Sequence, residues 1–171
     1  MTVQRQQENR RYSKTPLSAS VLGFLAAILV SAAVWPSQAA TTERVVIDRF
    51  TGLAIDGFDP VAYFVDGRPA RGLPDFEVGL LGAVWRFRNE GNKAWFVAHP
   101  DVYGPQFGGY DPIDLARGVT LPGNPLFWVI SGHRLYLFGI EAHRDAFAAD
   151  PEHFLPQAEK RWPGLERGLS E

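Results

Sequence analysis

The chain of 171 residues contains no cysteine, and its single methionine is the first residue. Without thiols there is no disulfide to brace a small fold, no thiol redox chemistry and no soft thiolate ligand for copper(I) or zinc. Beyond residue 40, serine occurs only as Ser131 and Ser170, and no Gly-x-Ser-x-Gly stretch is present. Covalent acyl transfer therefore has little to work with. Lysine is as scarce there, with only Lys93 and Lys160. The histidines His99, His133, His143 and His153 show neither the i, i+4 spacing of a helical metal motif nor a His-x-His pair. Gly108-Gly109 is not followed by the Gly-Lys-Ser/Thr of a phosphate loop and reads as a tight turn. No internal repeat, low-complexity tract or second domain is apparent in the residue pattern.

Apolar and aromatic residues are abundant, at 46% and 13% of the chain. That composition specifies a packed core rather than a disordered chain, and the length suits one modest domain. The first forty residues stand apart. Arg5, Arg10, Arg11 and Lys14 precede an apolar run from Val21 to Trp35, followed by Pro36-Ser37-Gln38-Ala39-Ala40. A basic flank, an apolar stretch and small residues in that order form the pattern of an export signal. Residues 1–40 are thus expected to send the domain to the periplasm or another extracytoplasmic space. Counted from Leu17, the stretch also approaches the roughly 20 apolar residues of a membrane span, so an uncleaved anchor is the alternative. The basic flank places the domain outside the cytoplasm in both cases, and only this segment would touch the membrane. Without it the chain has thirteen basic residues against eighteen acidic ones, the basic ones scattered. No electrostatic footprint for nucleic acid exists.

Turn and cap signals divide the remainder. Val45 to Ile47 reads as an edge strand or the end of a linker. Asp59-Pro60 opens a short helical turn through Phe64. Phe76 to Val78 and Ala83 to Arg88 form one hairpin, with Trp85 and Phe87 on its core face. Asn89 caps a helix that ends at Pro100, and a second runs from Tyr110 or Asp111 to Ala116, closed by Gly118. Phe127 to Ile130 and Arg134 to Phe138 form a second hairpin. Glu141 to Ala149 is helical, and Asp150-Pro151 restarts a helical segment through Trp162, interrupted by Pro156. The expected fold is α+β: one small domain over residues 45–165, built of two β-hairpins with short packed helices.

Two carboxylate pairs, Asp56 with Asp59 and Asp111 with Asp114, have the chemistry for acid–base work or a hard cation. Asp59 and Asp111 also read as helix caps. Tyr63, Tyr103 and Tyr110 each stand beside a Gly, Pro or Asp turn where a hydroxyl can line a pocket. Asp59, Tyr63, Tyr103, Tyr110 and Asp111 therefore form the candidate ligand-binding set, with no catalytic residue and no metal ligand assigned. Each histidine reads as structural. A site joining Asp111 to a distant histidine is conceivable, although nothing in the sequence forces the two together.

Several segments carry a resemblance. They are Gly57-Phe-Asp-Pro-Val-Ala-Tyr-Phe64, Gly82-Ala-Val-Trp-Arg-Phe87, Asn89-Glu-Gly91, Phe96 with Pro100 and Tyr103, Gly108-Gly-Tyr110 and Leu135-Tyr-Leu137. Together they resemble the YHS domain family from Gly52 to Trp162, most closely its exported, single-domain branch. In metal-associated relatives, cysteines occupy the positions that are Ala62, Arg88 and Asn92 here, and in the exported branch one occupies Asp111. Alanine, arginine and asparagine do not replace a thiolate, and Arg88 repels a cation. With cofactor motifs, nucleophiles and the family's thiolates all missing, the expected role is a non-enzymatic exported module on a YHS-like domain that binds a small molecule or a protein partner without a cofactor. The alternatives are a copper or zinc protein using Asp and His ligands, or an enzyme of unknown reaction using the carboxylates.

Overall fold

Two left-handed turns and the aspartates that follow them set the plan of the molecule. The computed structural model describes residues 44–169, so the expected export or anchor segment lies outside the described residues. Residues 44–47 form a strap. The Val46 amide donates to Gly108 O at 2.8 Å, and Val46 O accepts from the Ile55 amide at 3.1 Å. After a turn, Ile55, Asp56 and Gly57 all take positive φ (42°, 53° and 74°). This reverses the chain and delivers Asp59 to the start of α1 (Ala62–Val65). The hairpin β1 (Leu73–Leu80) and β2 (Ala83–Phe87) follows, turning at Leu81-Gly82. Next comes α2 (Glu90–Ala98), capped by the Asn89 side chain, which accepts from the Asn92 amide, and then the short α3 (Pro100–Tyr103).

The chain then repeats the plan. Phe107, Gly108 and Gly109 take φ of 55°, 63° and 91°. Asp111 caps α4 (Pro112–Arg117), which the left-handed Gly118 closes. Hairpin β3 (Asn124–Ser131) and β4 (Arg134–Phe138), α5 (Glu141–Ala149) and α6 (Pro151–Gly168) complete the second unit.

The correspondence extends to single hydrogen bonds. Leu73 faces Phe87, and the register then shifts so that Glu77 faces Arg86; Asn124 faces Phe138, and the same shift sets Trp128 against Leu137. Leu53 bridges Val84 in parallel as Pro105 bridges Leu135, and Phe58 bridges Arg71 as Tyr110 bridges Pro122. The Asp59 amide donates to Ala70 O, and the Asp111 amide donates to Leu121 O. The chain is therefore a tandem structural duplication, which corrects the expectation of no internal repeat. Scattered identities accompany it: Gly57, Asp59-Pro60, Gly72, Pro74, Phe76, Val78, Phe87, Glu90, Phe96, Ala98 and Pro100 return as Gly109, Asp111-Pro112, Gly123, Pro125, Phe127, Val129, Phe138, Glu141, Phe147, Ala149 and Pro151.

The α+β architecture is as expected, and β4 explains how the two units share it. Its alternate residues enter different cores. Leu135 and Leu137 pack with Trp85, Phe87 and Phe96 of the first unit, whereas Tyr136 and Phe138 pack with Ile113 and Phe147 of the second. A strand buried on both faces needs the unbroken apolar run Leu-Tyr-Leu-Phe found here. The helix expected to break at Pro156 instead runs on through both Pro156 and Pro163 to Gly168. Both prolines are exposed, so the carbonyls they leave unpaired are on the wet side. Ala158, Trp162 and Leu165 meanwhile pack beside Tyr110 and Leu115, which holds the helix against its breakers. Among the described residues no helix is long and apolar enough to cross a membrane.

Candidate functional site

Asp59 and Asp111 are both fully buried and do the same work in the two units. Asp59 Oδ1 accepts from the amides of Val61 (2.8 Å) and Ala62 (3.3 Å). Its Oδ2 accepts from the Arg88 amide (2.9 Å) and from Asn92 Nδ2 (2.6 Å). Asp111 Oδ1 accepts from the Ile113 amide (2.9 Å), and its Oδ2 accepts from the Gly139 amide and His143 Nδ1, both at 2.8 Å. One carboxylate thus caps a helical turn with one oxygen and with the other ties down the hairpin exit and the next helix. The caps were legible from the sequence. Arg88 and Asn92 surround Asp59, and their counterparts around Asp111 are Gly139 and His143; the Arg88 guanidinium itself pairs with Asp66.

The three tyrosines are each occupied differently. The Tyr63 hydroxyl donates to Pro125 O at 2.9 Å, and its ring meets Trp128 edge-on at 5.3 Å. Burial pushes this hydroxyl's pKa well above the usual phenol range, and the nearby Asp56 and Asp59 carboxylates push the same way. Tyr103 stands edge-on to Phe64 at 5.3 Å, and the buried Tyr110 lies against Trp162 at 5.9 Å. Asp59 and Tyr63 belong to the first unit, Tyr110 and Asp111 to the second. None of the five candidate residues lines the cavity described below.

What the fold does gather is Asp111, Asp114 and His143, whose ligand-type atoms all lie within 4.8 Å of one another. Because an ionised carboxylate only accepts, the His143 Nδ1 facing Asp111 carries the proton. Asp114, at 8% exposure, places Oδ2 at 3.7 Å from the same nitrogen and Oδ1 at 3.6 Å from Arg117 Nη1. The distant histidine that the sequence left unspecified is thus His143. Only the unit-to-unit correspondence with Asn92, which contacts Asp59, points to it in advance.

A cavity of about 490 Å³ opens where the two units meet. Its walls come from the strap (Arg44, Val45), the first hairpin (Leu81, Trp85), α3 and its start (Pro100, Asp101), the linker 104–108 and α6 (Trp162, Glu166). Pro100, Phe107 and Trp162 supply flat apolar surface, while Arg44, Asp101, Gln106 and Glu166 supply polar groups. Gly108 holds the strap in place: a Cβ there would lie 1.8 Å from Arg44 O. Sequence reasoning placed Trp85 on the core face of its hairpin, where it is buried, but missed this site, since its residues come from five separated segments.

Comparison of the chain with protein-family models, with curated proteins and with solved structures finds no match.

Proposed function

We propose that the protein is an exported, non-enzymatic binding module of YHS type that holds a small molecule at the junction of its two units. The carrying observation is the cavity of about 490 Å³, which combines flat aromatic and proline walls with a few polar groups. Small-molecule sites span about 300–1,000 Å³ and have this mixture of surfaces. The position at a junction between two packed units is also where such sites collect. A non-enzymatic role is supported by the scarcity of nucleophiles and by the use of Asp59 and Asp111 as structural caps. Export is supported by the basic, apolar and small-residue order of residues 1–40. The ligand these walls suit has a flat apolar body, to lie against Trp162 and Phe107, and polar ends.

A thermal-shift screen of small molecules against the domain, followed by titration of its tryptophan fluorescence, tests the reading. Compounds that stabilise the protein are expected to lose at least tenfold in affinity in a Gln106→Trp variant, whose added bulk fills the cavity. Compounds that bind the variant as well as the parent would place binding elsewhere and overturn the proposal.

A further inference from the structure

The duplication separates what the scaffold needs at its buried aspartates from what it does not need. In the first unit the side-chain partner of Asp59 is the Asn92 amide, and the residue three positions after the aspartate is Ala62. An amide and a methyl group are therefore sufficient to build this junction. In the second unit the same two positions carry His143 and Asp114, an imidazole and a second carboxylate that the architecture does not require. Asp114 adds its own signal. It is 8% exposed, yet its oxygens meet Arg117 and His143 only at 3.6 Å and 3.7 Å, longer than a hydrogen bond. The Asp114 side chain is 12% exposed, so its oxygens are reached by solvent rather than held by close protein donors, and they keep unused ligand capacity.

We propose that Asp111, Asp114 and His143 form a binding site for a divalent transition-metal ion of the zinc class, separate from the cavity at the junction. Around a tetrahedral ion with bonds of about 2.0–2.1 Å, ligand atoms stand about 3.3 Å apart. His143 Nδ1 lies 2.8 Å from Asp111 Oδ2 and 3.7 Å from Asp114 Oδ2, values on either side of that spacing. Small side-chain adjustments accommodate the ion. One imidazole and two carboxylates, with no sulfur, disfavour copper(I), and the imidazole disfavours magnesium and calcium. Three protein ligands leave a coordination position for water. The proton balance is simple. The ion takes the Nδ1 lone pair, and the neutral imidazole keeps its one proton on Nε2 instead of donating it to Asp111. Asp111 retains the Ile113 amide on Oδ1, so the cap on α4 survives.

The test is thermal and urea unfolding of the purified domain, stripped with chelator and then titrated with zinc alone. A ligand of the native state at one hundred times its dissociation constant shifts the unfolding equilibrium about a hundredfold. The wild-type protein is expected to show such a shift. His143→Asn, which copies Asn92 of the first unit, is expected to fold without metal and to lose the shift. Asp114→Ala, which copies Ala62, removes no close hydrogen bond and provides a second variant should the first fail to fold. The proposal is overturned if zinc leaves the wild-type protein unmoved, or if both variants respond as the wild type does.

Discussion

At the scale of single residues, Tyr63 shows how burial turns a polar group into a pH-dependent one. Its folded hydroxyl has a pKa above that of the unfolded chain, chiefly through burial. Its contribution to stability is therefore complete below the unfolded value of about 10 and is lost as pH rises above it, when only the unfolded chain ionises readily. Wild-type stability, measured by urea unfolding, is expected to fall more steeply above that pH than the stability of a Tyr63→Phe variant. Near neutrality the variant is expected to be about 1 kcal/mol less stable, for want of the bond to Pro125 O. Equal slopes in the alkaline range would remove Tyr63 from the explanation. The local half of each aspartate's role was legible, because a cap is a contact with the next two or three residues. Asn92 and His143 were not, since the hairpin that brings them back spans about thirty residues that no cap signal covers.

At the scale of elements, the strap is held by a glycine that could not be recognised as its seat. Gly67 and Gly108 have the same φ of 63°, but a Cβ on Gly67 meets nothing within 4 Å, whereas one on Gly108 strikes Arg44 O. Gly67→Ala is expected to cost about 1–2 kcal/mol, the price of a left-handed backbone alone. Gly108→Ala is expected to cost distinctly more and to expose the Val46 amide to hydrogen exchange. Similar losses in both variants would mean that the strap adds little. The hairpins, α2, α4 and α5 were readable because caps, glycines and alternating strands mark their limits. The continuation of α6 was not. It depends on Ala158, Trp162 and Leu165 finding the side of α4, a tertiary gain that outweighs the local preference of Pro156 and Pro163. Ile55 was equally opaque, since a β-branched residue at a φ of 42° runs against its intrinsic preference.

At the scale of the whole molecule, the two units share a plan but not a free existence. The core of the first includes Leu135 and Leu137 from the second, and the strap in front of the first is seated on Gly108. A fragment of residues 44–104 is expected to be unfolded by circular dichroism and to gain structure when mixed with residues 105–169. A fragment that folds cooperatively by itself would show that β4 is dispensable to it. The duplication escaped sequence reading because its recurring residues, such as Asp59-Pro60 with Asp111-Pro112 and the Gly-x-Pro-x-Phe of 72–76 with that of 123–127, are scattered among many that differ and stand 51 or 52 positions apart. Shared strand β4 also fixes an order of assembly. As a chain grows from its N-terminus, the first hairpin and α2 have their local partners at once, yet Tyr63 must wait for Pro125, 62 positions later, before its hydroxyl has an acceptor. Until then the half-made protein presents an open apolar face, so a chaperone or translocation channel that shields the nascent chain would have to hold it until β4 has emerged.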